Sequence, residues 1–220
     1  MRESVRQLAV AALWIVLSCV VILIGGLPIA VVIQINMRLE PAVPWFVVPA
    51  GAVALAVLKW TERFVERLPI ARQVNPIKMT VLSAILAVVL AAVALVLTPH
   101  GTLRQGALVG DADPAPLGFR IAHTLAWVAC VGAVEEGAVR NMVQLKLQRR
   151  LKPILAEAIA GMIFVLIHAP RLRSADEIAL VLLVAFVSGR LAAVTQSARY
   201  STIVHSLSNV GISAAIMLVR

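Results

Sequence analysis

Three short polar clusters interrupt an otherwise apolar C-terminal half: Glu135-Glu136 followed by Arg140, His168 closing Phe164-Val-Leu-Ile-His168, and His205 followed by Asn209. Carboxylates and imidazoles are the side chains that take a proton from water or hold a divalent metal. The spacing assigns roles. Adjacent helical residues point about 100° apart, which predicts that the two glutamates do not face one site, whereas Glu136 and Arg140 are i,i+4 neighbours able to pair. Glu135 is then left as a general base and Glu136–Arg140 as a structural ion pair. A competing reading places both carboxylates at a solvated helix end, with Arg140 in a basic loop. His205 and Asn209, four apart, share one helix face. A single membrane histidine is often only a packing contact; two histidines, an asparagine and a glutamate on three helices point to a site. His123, 12 residues before Glu135 and about 18 Å away along a helix, is set apart from it, and His100 sits at the end of an apolar run.

The elements that carry these clusters belong in a bilayer. The chain has 220 residues, 61% hydrophobic and 14% charged, with a mean hydropathy of +0.95, far from a soluble domain. A span needs about 20 apolar residues, and Leu8–Ile33, Ala42–Leu58 and Met79–Thr98 meet or approach that length. The pattern predicts an all-α, polytopic membrane protein of about seven helices: those three, then Ile121 to about Leu147, Pro153–His168, Glu177–Val194 and Thr202–Val219. Residues 1–220 form a single membrane domain, with 1–98 as scaffold helices and 121–220 as the polar core. The first run continues past the length of a signal h-region and is read as a retained span. Lys59–Leu68 is expected to be a short interfacial helix. Ser174-Ala-Asp-Glu177 has capping-box spacing, and Pro153 suits a first helical turn.

The net charge of +9 is explained by topology and not by nucleic-acid binding, since no aromatic-basic stripe occurs. Lys59, Arg63, Arg67, Arg72 and Lys78 fill one connection and Lys146, Arg149, Arg150 and Lys152 another, so both are expected on the cytoplasmic side. The connection around Gly101–Leu117, with Asp111 and Asp113, is expected outside. Cys19 and Cys130 indicate neither a disulfide framework nor a thiolate metal site. The partners expected are the bilayer itself and a membrane-associated peptide or protein.

Depth along the helices supports one shared site. Glu135 and His168 are equidistant from the basic turn Leu151–Lys152, each roughly 25 Å away at 1.5 Å per residue. His205 lies only a few residues past the next connection, near Arg199. The depths match only if the hairpin between the fourth and fifth helices projects beyond the membrane, as its charged Arg140–Lys152 stretch allows.

At these residues the chain resembles the CPBP family of intramembrane proteases, which includes type II CAAX prenyl endopeptidases and Abi-like, bacteriocin-processing enzymes. Three motifs match in order: EExxxR as Glu135-Glu136-Gly-Ala-Val-Arg140, FxxxH as Phe164-Val-Leu-Ile-His168, and HxxxN as His205-Ser-Leu-Ser-Asn209. The family often has an aromatic before the motif arginine and a glycine after it, where this chain has Val139 and Asn141. The resemblance covers Ile121 to the C-terminus and implies hydrolysis of a peptide bond within the membrane. Glu135 with His168 would activate water while His205 and Asn209 stabilise the oxyanion. A zinc ion among Glu135, His168 and His205 is the competing version; the glutamate version has a slight preference, because Asn209 is a poor zinc ligand and a good oxyanion donor. The alternatives to a protease are a non-catalytic family member acting as a bacteriocin-immunity or membrane scaffold protein, and a small proton-relaying transporter. A multi-pass protein of a bacterial inner membrane is the expected setting.

Overall fold

The computed structural model describes residues 47–63, 74–97, 130–169, 172 and 174–218, with a few helical positions between 9 and 20. All regular structure among them is helical. We label α1 Val47–Glu62, α2 Pro76–Leu97, α3 residues 130–147, α4 Pro153–His168, α5 Ala175–Thr195 and α6 Arg199–Leu218. The expected first helix, apart from those few positions, and the Gly101–Leu117 connection lie outside the described residues.

Local chemistry sets the helix ends. Asn75 Oδ1 accepts the Lys78 N–H at 3.1 Å, which caps α2 at Pro76, three residues ahead of the expected Met79. Pro153 opens α4 as expected, and Ser174 Oγ accepts the Glu177 N–H at 3.2 Å at the start of α5. Ser174→Ala is therefore expected to lower stability by about 1 kcal/mol, measurable as a shifted denaturation midpoint. At the end of α5, Gln196 adopts a left-handed conformation with φ 51°. Its amide holds that turn by donating to the Ala193 carbonyl at 2.7 Å and to Gln148 Oε1 at 3.2 Å.

One expected boundary is corrected. α1 does not stop at Leu58 to begin a separate interfacial helix; it runs unbroken to Glu62, because Thr61 is fully buried and its hydroxyl donates to the Leu58 carbonyl at 2.7 Å. Residues 64–73 lie outside the described ones.

By length and composition, α2 and α5 could each cross a membrane, since 21 residues reach about 31 Å. α2 turns Ile77, Val81, Ile85, Val88 and Val96 outward, an apolar surface suited to lipid. Inside, Val139 and Val143 of α3 pack with Ile163 and Phe164 of α4, Val184 of α5 and Val204 of α6. Ala156 and Ala160 of α4 are completely buried, small side chains that let neighbouring helices approach closely. The Ala198 N–H, at the start of α6, meets Asn141 Oδ1 at 3.2 Å. The last turns of α3 and the start of α4 therefore extend past the beginning of α6.

Candidate active site

α3 carries the acidic pair into the interior. Glu135 is 6% and Glu136 0% exposed, which removes the reading of a solvated helix end. Directly after Glu136 the helix widens into a π-helix, Gly137–Gln144, continued as an α turn by Leu145–Leu147. π-helical turns are rare and occur mostly at functional sites. This one is wholly buried and carries three polar side chains, Arg140, Asn141 and Gln144, whose groups must therefore find partners inside the protein.

Arg140 satisfies its fork in three directions. Nε donates to Glu136 Oε2 at 3.0 Å, one amino group to Gln144 Oε1 at 3.1 Å and the other to the Ala185 carbonyl of α5 at 3.1 Å. Gln144 in turn donates to the Gly189 carbonyl at 2.7 Å. The expected Glu136–Arg140 pair is thus present, and it also fastens α3 to α5.

Glu136 is more than a partner for arginine. Its other oxygen, Oε1, lies 3.2 Å from His205 Nδ1, while Glu135 Oε2 lies 3.8 Å from Nε2 of the same ring. The expectation that the adjacent glutamates cannot serve one site is corrected. The imidazole has a nitrogen on each side, and the side-chain torsions bring each carboxylate to one of them. Glu135 Oε2 also lies 3.7 Å from His168 Nε2.

The hydrogen-bond network assigns the ring protons. His168 Nδ1 is 2.8 Å from the Phe164 carbonyl, which can only accept, so Nδ1 carries the hydrogen and Nε2 of a neutral ring presents its lone pair. The arginine-paired Glu136 carboxylate likewise accepts from His205 Nδ1–H. In the neutral rings, both Nε2 atoms would turn lone pairs toward Glu135. Phe164 positions the rings as well: it stacks on His168 with centroids 4.6 Å apart, meets His205 edge-on at 5.2 Å, and lies 5.4 Å beneath the Arg140 guanidinium. Phe164→Leu, which keeps bulk but removes the flat ring face, is expected to reduce turnover more than stability, seen by comparing kcat with the thermal midpoint.

One nitrogen from each histidine and one oxygen from Glu135 lie within 4.8 Å of one another. That is the donor set of a His₂Glu zinc site, and an acceptor on each histidine's far nitrogen is the arrangement that orients metal-ligating imidazoles. Tetrahedral zinc with bonds of about 2.0–2.2 Å needs donors about 3.4 Å apart, so the Glu135–His pairs at 3.7 and 3.8 Å would need little movement, while the widest pair, up to 4.8 Å, would have to close by about 1.4 Å. Asn209 lies one turn beyond His205 and is half-buried; no hydrogen bond joins it to the three.

Sequence spacing did not single out Phe164 beyond its motif, nor Gln144, Thr61 or Gly132. Only Gly132 left a usable trace, as a small residue one turn before Glu136. A Cβ there would stand 2.9 Å from Ser206 Oγ and 3.6 Å from the His205 ring, so its absence lets α6 bring His205 near the glutamates.

Residues 117–211 match the family described as type II CAAX prenyl endopeptidase Rce1-like, a span that contains all three motifs. No curated protein and no solved structure matches the chain.

Proposed function

We propose that the protein is an intramembrane endopeptidase that hydrolyses a peptide bond in a membrane-associated protein or peptide, a reading supported by the match of residues 117–211 to the type II CAAX prenyl endopeptidase Rce1-like family. The observation that carries the reading is the convergence of Glu135, His168 and His205, with the Nδ1 of each histidine fixed by an acceptor.

The same observation shifts the balance between the two mechanisms. A neutral His205 that donates from Nδ1 to Glu136 has no hydrogen left on Nε2 to give an oxyanion. Three lone-pair donors facing one point suit a divalent cation, and Glu135, His168 and His205 would hold it. Such an ion, when bound, supplies Lewis-acid polarisation and a more acidic water. The protein's own groups then act as follows. The second oxygen of Glu135 takes the proton of the attacking water, Glu136 and the Phe164 carbonyl hold the rings in register, and the Asn209 amide donates to the developing oxyanion. Asn209→Ala is expected to retain measurable activity, lowered on the order of 10²–10³-fold in kcat, as for loss of one oxyanion donor.

The protein sits in the membrane with the Lys59–Lys78 and Lys146–Lys152 connections on the cytoplasmic side, in a multi-pass arrangement of the kind a bacterial inner membrane holds. Arg150 is exposed in the α3–α4 turn, so a single cysteine placed there should react with an impermeant thiol reagent only after the membrane is opened. Labelling from the periplasmic side of intact cells would reverse the orientation. The experiment that tests the activity is a proteomic comparison of membranes holding wild type or Glu135→Gln. A membrane protein that accumulates uncut in the variant is the expected result, and identical profiles would count against a protease.

A further inference from the structure

α1 lies outside the matched span, yet it reaches the polar core. Thr61, fully buried in its last turn, accepts from Asn141 Nδ2 at 3.1 Å while its own hydroxyl donates to the Leu58 carbonyl. Asn141, also fully buried, accepts the Ala198 N–H with its other amide atom. The contact between α1 and α3 is close: a Cβ on Gly137 would stand 2.8 Å from Thr61 Oγ1. α3 and α6 are thus tied at two levels, by Asn141 to Ala198 and by Glu136 to His205. Ala198 precedes His205 by seven residues, two helical turns or about 10 Å. A shift or rotation at the foot of α6 is carried by the rigid helix to the imidazole.

We propose that Thr61 is a positioning residue for the candidate active site: through Asn141 it fixes the start of α6 and so holds His205 in register with Glu135 and Glu136. The inference rests on the protease reading of that site. A second tie in the same place, Glu62 with Arg199 at 2.5 and 2.9 Å, lies at the surface, with Arg199 62% exposed, where ion pairs contribute little. The buried chain Thr61–Asn141–Ala198 is therefore the effective link. It also gives Asn141 a role at the position where the resembled family often has glycine, whose lack of a side chain would leave this link unmade.

The test compares Thr61→Val, which keeps the volume but removes the acceptor, with Thr61→Ser, which restores it, in the full chain in detergent micelles. Two quantities are read: hydrogen exchange in a peptide covering residues 196–206, and kcat and KM on a quenched-fluorescent peptide of transmembrane sequence. A misplacement of about 1 Å can cost 10²-fold in rate, so Thr61→Val should lower kcat on the order of 10-fold with KM within about twofold. Exchange at 196–206 should quicken while that of α4 stays unchanged. Thr61→Ser should recover both values, which a merely destabilised fold would not arrange by splitting kcat from KM. An unchanged kcat in Thr61→Val overturns the inference, as does unchanged exchange at 196–206, whether or not a peptide is cut. A wild type that cuts neither the peptide nor any membrane protein counts against the protease reading, with the exchange result still deciding the link.

Discussion

Glu135→Gln is expected to lower cleavage on the order of 10³-fold or more while leaving the protein folded and inserted. The size of the effect follows from how much converges on one carboxylate. Glu135 Oε2 lies near both imidazole Nε2 atoms, at 3.7 and 3.8 Å, and general-base catalysis alone contributes about 10²–10⁴-fold. The fold should survive because Glu135 makes no ion pair with Arg140; the amide keeps the shape and can donate to the Nε2 lone pairs. Turnover near the wild-type value would sink both the glutamate-base and the glutamate-ligand versions. Metal content per chain separates those two. If zinc is held by Glu135, His168 and His205, Glu135→Gln and His168→Ala should both lose it on dialysis against a mild chelator, and wild type stripped of metal should regain activity on zinc addition. A metal-free preparation that stayed fully active would remove the zinc version alone.

Arg140→Ala should act on the fold instead, costing about 3–5 kcal/mol, the range for removing one partner of a buried ion pair. Such a loss is a large share of an ordinary total stability of about 5–15 kcal/mol. The substitution strips Glu136 of its guanidinium at a position with no solvent exposure, frees Gln144 Oε1, and removes the side-chain donor to the Ala185 carbonyl. It also opens a cavity above Phe164. The readout is folded yield by gel filtration and the unfolding midpoint in detergent. Near wild-type stability for Arg140→Ala would mean that Glu136 is satisfied by His205 alone. The double variant Glu136→Gln/Arg140→Met replaces the ion pair by groups of similar volume and should recover much of the yield. Activity should not return with it, since a glutamine no longer selects the His205 tautomer. That divergence would separate the two roles of Glu136.

Much of the site was legible in the residue types. A carboxylate pair, an arginine at i+4 and two histidines spread over three apolar segments are costly in a low-dielectric interior unless they meet, so their presence predicted their convergence. Counting residues from the Leu151–Lys152 turn matched the level of Glu135 to that of His168, whose side chains meet at 3.7 Å. The helix starts at Pro153 and Ser174 were readable for a simpler reason, because capping depends on side chains within three residues of the end.

What the sequence could not reveal depended on partners far apart in the chain. Helical periodicity fixes where Cβ points and not where a flexible carboxylate ends, so it separated Glu135 from Glu136 although His205 receives both. The π-helix has no local signature; it is stabilised by carbonyls of Ala185 and Gly189, some 45 residues away. Thr61 gave no signal either, as a threonine near the end of an apolar run can face lipid, solvent or core. Only the packing of α1 against Gly137, and the burial of an asparagine that needed both a donor and an acceptor, decided which, because a polar group removed from water must be satisfied by whatever the tertiary structure places beside it.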